Sequence, residues 1–292
     1  MSQQRTFISF DWAMKKILRH KDNFTILEGF LSELLDFDVT IENILESEGN
    51  KESLEDKYDR VDILAKSIKG ELILIELQYD NQDDYFHRMI YGISKLITEY
   101  ISEGKIYGTI KKAFSINILY FRLGQGKDYV YEYKGNFVGK YKKDVFKPTK
   151  HQKEKFNIET VADIFPKYYV IRVNNFQKQV IEQPLDEWLY FLKNSDIKDD
   201  FHAKGMERAK EALNYEKMSG EDKSKYSRHI ENRRIEKSVL TTAEDLGSRK
   251  TSLAIAKKAL AEGLDWAMIS KLTGFDLQDI ELLSKGKKIE ID

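Results

Sequence analysis

The chain has 292 residues, is 41% hydrophobic and contains no cysteine, so it can bury a sizeable core but cannot form disulfides or thiolate metal sites. Its net charge of −1 excludes a uniformly basic nucleic-acid coat, and no apolar run approaches the ~18 residues of a membrane-spanning helix. Residues 1–6 lack an apolar signal-peptide core, which with the missing cysteines sets the expectation of a cytoplasmic protein with no membrane contact.

Residues 10–35 place Trp12, Ile17, Phe24, Ile26, Leu27, Phe30, Leu31, Leu34 and Leu35 at helical spacing. This predicts two helices broken near residues 20–22, with Asp22 capping the second. Residues 39–45 alternate and predict a strand. Residues 46–56, with Gly49-Asn50, read as a loop. Two apolar runs, 61–65 and 72–77, flank Lys69-Gly70 and predict a hairpin over 58–68 and 71–79. A helix over 83–103 should stop at Gly104. Residues 114–121 predict a central strand, and 128–142 a second hairpin turning at Gly135-Asn136. A strand over 168–173 and a helix over 185–193 follow. This order gives an α/β core with a mixed central sheet flanked by helices. Beyond about residue 200 the chain is charged and helical, with a break at Ser219-Gly220. Residues 253–283 read as helix, Gly263, short helix, Gly274, helix, with Asp265 and Asp276 as N-caps. The expected division is therefore 1–200 and 201–292. The last helices have helix-turn-helix spacing, but Asp276, Asp279 and Glu281 make the final one acidic and ill-suited to a DNA groove. A packing or self-association role, and hence a homo-oligomer, is the favoured reading of this region.

The first hairpin carries the chemistry. Asp62 interrupts one apolar run and Glu76 the other, and a carboxylate inside a buried strand is costly without a cation or hydrogen bonds. Two on paired strands point to a divalent cation. Gln78, two residues after Glu76, projects from the same strand face. The histidines at 20, 87, 151, 202 and 229 show no zinc spacing, and Gly124-Gln-Gly126-Lys127 is not a phosphate loop.

Asp62 and Glu76-Leu77-Gln78 resemble the site of the PD-(D/E)XK nuclease superfamily. Further pieces narrow the resemblance to the recombination-promoting nuclease (Rpn) family, whose members are also described as transposases. These are Phe10-Asp11 with Lys15-Lys16, Phe86-His87-Arg88 with Tyr91, the strand at 114–121, and Pro184-Leu-Asp-Glu-Trp188, spread over about residues 5–200. The resemblance implies a restriction-endonuclease-like core and a metal-dependent DNA endonuclease linked to recombination, mobile elements or phage defence. Asp62 and Glu76 would hold Mg2+, with Mn2+ or Ca2+ as alternatives, and the Leu77 carbonyl would complete the ligand shell. An acid on the first helix, Glu28 or else Asp11, would face the metal. Gln78 stands where the superfamily pattern has lysine, and the Rpn family commonly has Glu-x-Gln there. An amide can orient water but carries no charge, so Arg88 or Lys15 would supply it. His87 or Arg88 would touch the scissile phosphate, with a buried ion pair the equal alternative for Arg88. A catalytically weak or inactive DNA-binding protein on the same fold is the second reading.

Charge is unevenly spread. Residues 111–155 carry 12 Lys and Arg against 4 Asp and Glu, with Tyr129, Tyr131, Tyr133, Phe137 and Tyr141 interleaved. Lysines such as Lys140, Lys142 and Lys143 would neutralise DNA phosphates and the aromatics would stack on bases. A solvated hairpin is the alternative for this segment.

Overall fold

In the computed structural model the 61–78 hairpin lies within a mixed sheet. The structure describes residues 6–45, 61–100, 106–287 and 289, with the backbone alone at Lys15, Val61 and Asp62. The described elements open with α1 (Phe10–Lys16) and α2 (Phe24–Leu35), followed by strands β1 (Ile41–Leu45), β2 (Val61–Ser67) and β3 (Leu72–Gln78). Helix α3 (Tyr85–Tyr100), strands β4 (Ala113–Leu119) and β5 (Val130–Glu132), helix α4 (Lys150–Phe156), strand β6 (Lys167–Arg172), and helices α5 (Pro184–Asn194) and α6 (Met206–Ala212) come next. The described strands form one sheet in the order β1-β2-β3-β4-β6-β5. β1–β2, β2–β3 and β5–β6 are antiparallel, whereas β3–β4 and β4–β6 are parallel.

Alternation assigns the two faces of the sheet. Leu64, Leu72 and Ala113 pack with Ile93 and Leu96 of α3. On the other face Phe114 meets Phe37 at 5.9 Å. The helices α1, α2 and α5 share an aromatic cluster in which Phe10 contacts Phe30 and Phe191, and Phe30 contacts Trp188. The edge strand β5 is held by charge. Glu132 receives Lys134 at 2.9 Å and Lys167 at 3.1 Å. Burial pushes the Glu132 carboxyl up, but these lysines outweigh it and hold it below the ordinary value of 4.5.

Several expectations shift. The break between α1 and α2 is present, but Asp22 lies in a short 3-10 turn and the N-cap position is Asn23, whose amide donates to Ile17 O at 3.2 Å. Gly104 and residues 46–56, expected to form a loop, lie outside the described residues. The second hairpin does not turn at Gly135-Asn136. β5 pairs with β6, and the tight turn is at Gly139, which exchanges backbone bonds with Asp144 and Lys143. Helix α4, built on a Thr149/Gln152 capping box, has no buried residue and so no apolar period to reveal it.

Compact packing divides the chain into residues 1–219 and 220–292. The cut expected at 200 therefore falls inside the first unit. Phe201, Ala203, Met206, Ala209 and Leu213 are buried, and α6 packs on α2 where Gly205, at φ +81°, meets Gly29. The second unit comprises α7 (Gly220–Ala261), α8 (Trp266–Thr273) and α9 (Leu277–Ser284). Its core is Ala256, Ala259, Ile269, Ile280 and Leu283. Asp265 and Asp276 cap α8 and α9, accepting from Met268 N at 3.2 Å and Asp279 N at 2.8 Å. No helix among the described residues is long and apolar enough to cross a membrane.

Two stability outcomes follow. A Cβ on Gly29 would fall on the Lys204 carbonyl and within 2.8 Å of Gly205 Cα, both backbone atoms. Gly29→Ala is expected to destabilise the protein by about 2–3 kcal/mol in urea unfolding; a loss below about 0.5 kcal/mol would contradict this packing. Because the folded Glu132 carboxyl is held low, its contribution is present above pH 4.5 and is lost as pH falls through the folded value. Glu132→Gln should therefore flatten the acid side of the stability profile, and an unchanged profile would show that the lysine pair contributes nothing.

Candidate active site

Glu76 lies on β3, flanked by β2 and β4, so its side chain can leave the sheet only through a face. The register sets Asp62 of β2 and Asn117 of β4 on either side of it. Gln78 is the last residue of β3. Glu76 is 6% exposed and Gln78 1%. Asp62 has the register position that the hairpin predicts, and its side chain lies outside the described atoms.

Helix α3 brings two partners to Glu76. Arg88 Nε lies 3.4 Å from Glu76 Oε2, and the Tyr85 hydroxyl reaches the same oxygen at 3.2 Å. Arg88 also donates from one terminal nitrogen to Gln78 Oε1 at 3.3 Å and Gln82 Oε1 at 3.1 Å, and its guanidinium lies 5.5 Å from the centre of the Tyr85 ring. A guanidinium only donates, so it orients both amides with oxygen toward it. Helix α3 comes so close that a Cβ on Gly92 would lie 3.4 Å from Glu76 Oε1 and 3.3 Å from Leu74 Cδ2.

A second layer fixes Tyr85. Its hydroxyl also reaches Asn117 Oδ1 at 3.1 Å, so one proton serves two acceptors. Asn117, fully buried, donates to Ser115 Oγ at 2.9 Å and to the Tyr169 carbonyl at 3.0 Å. A carbonyl can only accept, which places the Asn117 nitrogen there and its oxygen at Tyr85. Tyr85 and Asn117 were not singled out in the sequence. Asn117 gives the same signal as the two acids, a polar residue breaking an apolar strand. Tyr85 gives none, because its role depends on where α3 docks.

The Gln78 carbonyl accepts from Tyr120 N of the chain following β4. Alternation along β3 therefore turns the Leu77 carbonyl toward β2, where Leu77 has Val61 as register partner. Glu28 is not brought to this place. Its Oε1 accepts from Ile41 N at 2.8 Å, and Ile41 pairs with Ser67, the far end of β2 from Asp62. Asp11 is buried in the first turn of α1 and His87 is exposed. The side chain of Lys15 lies outside the described atoms. Among the described residues no group of three His, Cys, Asp or Glu is placed to hold a metal ion.

In the basic segment, Lys140, Lys142 and Lys143 are exposed on the turn beyond β5. Lys143 adopts φ 59° there. Tyr133, Phe137 and Tyr141 are exposed beside them. Tyr129 and Tyr131 are taken up locally: Tyr129 donates to Asp186 at 2.7 Å, and Tyr131 accepts from Asp128 N at 2.8 Å. The row Glu76–Asn117–Val170–Tyr131 crosses three strand spacings, about 14 Å.

A family model described as PD-(D/E)XK nuclease family transposase matches residues 8–243. No curated protein and no solved structure matches the chain.

Removing Asn117 leaves the Ser115 hydroxyl and the Tyr169 carbonyl each short of a buried partner. Asn117→Ala is expected to cost about 2–3 kcal/mol in urea unfolding. A cost near zero would mean that the amide does not anchor Tyr85.

Proposed function

We propose, because the chain belongs to the PD-(D/E)XK nuclease family transposases, that it is a metal-dependent DNA endonuclease hydrolysing phosphodiester bonds. The observation that carries the reading is the β2–β3 register, which sets Asp62 opposite Glu76 with Gln78 two residues on. The donors are hard oxygens, the chemistry that suits Mg2+, and Mn2+ or Ca2+ share that preference. Asp62 and Glu76 hold the ion, and the Leu77 carbonyl is the third donor. A carbonyl oxygen has two lone pairs, so its place in the β-ladder leaves capacity for a second partner. A bound divalent ion supplies acidified water and offsets charge developing on the phosphate.

The protein's own groups do the rest. With its oxygen held by Arg88, Gln78 turns its amide nitrogen the other way. There it can hold the oxygen of the attacking water, but it cannot take the proton. Arg88 supplies the positive charge that a lysine at position 78 would give. Lys140, Lys142 and Lys143 neutralise DNA phosphates. Copies associate through the second unit, where Ile235, Val239 and Leu246 are exposed along α7.

The second reading, a DNA-binding protein without turnover, is favoured by the neutral Gln78 and by the ion pair on Glu76. One assay separates the two. Supercoiled plasmid is incubated with Mg2+ and wild type, Asp62→Ala or Glu76→Ala, and nicking is expected to fall at least about 100-fold in both variants. Equal nicking by all three rejects catalysis, and binding without nicking selects the second reading. Replacing Lys140, Lys142 and Lys143 with Ala should lower the slope of log K against log salt by about 2–3. An unchanged slope removes that turn from the DNA interface.

A further inference from the structure

We propose that Arg88 is the counter-ion of Glu76 while the metal is absent, and that it transfers to a DNA phosphate when the metal binds, so that metal and DNA load together. The proposal rests on the reading of Asp62 and Glu76 as metal ligands. Arg88 and Tyr85 both engage one oxygen, Glu76 Oε2, at 3.4 and 3.2 Å. Glu76 would hold a divalent ion with the carboxylate that Arg88 now pairs, and the repulsion between the two cations would weaken the Arg88–Glu76 pair until one yields.

The surroundings make Arg88 the group that can. Its other polar partners, Gln78 and Gln82, are neutral amides, so leaving Glu76 separates it from no second charge among them. Its side chain is 15% exposed, near the start of α3, and a guanidinium matches a phosphate with paired donors. Tyr85 can also release Glu76 without stranding its proton, because Asn117 Oδ1 waits at 3.1 Å.

The test is a Mn2+ titration of the full chain, read by the electron paramagnetic resonance of the free ion. It is run with and without a phosphorothioate duplex that resists cleavage. Without DNA, Arg88→Gln is expected to bind Mn2+ roughly tenfold tighter than wild type. Adding the duplex should tighten wild type roughly tenfold and Arg88→Gln less than about twofold, as linkage requires if the arginine carries the coupling. A merely structural arginine predicts the opposite, weaker metal binding in the variant. Affinity in Arg88→Gln equal to or below that of wild type overturns the hand-off and leaves the metal reading intact. Should Arg88→Gln fail to fold, Arg88→Lys replaces it. Lysine lacks the fork by which Arg88 reaches Glu76 through Nε and Gln78 and Gln82 through a terminal nitrogen, so its hold on Glu76 is weaker and about threefold tighter Mn2+ is expected; no change overturns the hand-off. Mn2+ binding that is undetectable, or unaffected by Glu76→Gln, overturns the metal reading and the hand-off together.

Discussion

The burial of the Glu76 carboxylate constrains everything around it. A strand flanked on both sides offers its side chains only two exits, and the exit that Glu76 takes is covered by α3. An ionised group there is tolerated only with a counter-charge and hydrogen bonds. The helix supplies both from one stripe. Tyr85, Arg88 and Gly92 lie three and four residues apart, so they share a face. The first donates to the carboxylate, the second pairs with it, and the third has no side chain to keep the helix away. The polar row then continues through Asn117 to the Tyr169 carbonyl of β6. The site is thus a cross-section of the sheet, held together by the need to satisfy one charge.

The same constraint accounts for Gln78. A lysine at this buried position would bring an ammonium to the atom that now accepts from Arg88, and the two cations would repel. The neutral amide and the arginine are therefore compatible where lysine and arginine would not be. In the proposed site the positive charge therefore lies on the helix and not on the strand, and the difference is chemical. A guanidinium stays protonated and can steer or stabilise charge, but it cannot exchange a proton with water.

How much of this was legible depends on whether the signal was local. The hairpin, its two acids and the capped helices of the second unit came from alternation, a Gly-containing turn and Asp caps, all short-range patterns. Asn117 was equally legible, since it interrupts an apolar run as Asp62 does, but a search for carboxylates passes over an amide. Tyr85 and the orientation of Arg88 depend on how a helix docks across three strands, which no local pattern encodes. Glu28 was named through the resemblance, as an acid on the first helix, and no local pattern shows that its carboxylate accepts from the amide that opens β1. Gly135-Asn136 was a good turn signal overridden by pairing, because β5 found its partner in β6 rather than in the residues after the turn. The segment 201–219 looked like the start of a tail because its charged residues outnumber a short buried period of Met206, Ala209 and Leu213, and its close approach to α2 at Gly29 and Gly205 leaves no local signal.

The family match ends at residue 243, beyond the first unit and partway along α7. That helix has 42 residues, about 63 Å at the usual rise, and its buried residues are Tyr226 near one end and Ala256 and Ala259 near the other. Its middle is polar on most sides, interrupted by exposed Ile235, Val239, Leu240 and Leu246. An isolated helix of this composition draws little from burial, and a pair such as Lys225–Glu221 adds only a few tenths of a kcal/mol. The C-terminal end is anchored by α8 and α9, whose capped turns close a small core around Ala256 and Ala259. The intervening apolar residues have no such cover within the described unit. Burying them between copies of the chain would stabilise the stretch that its own unit leaves exposed, which is the physical ground for proposing assembly through α7.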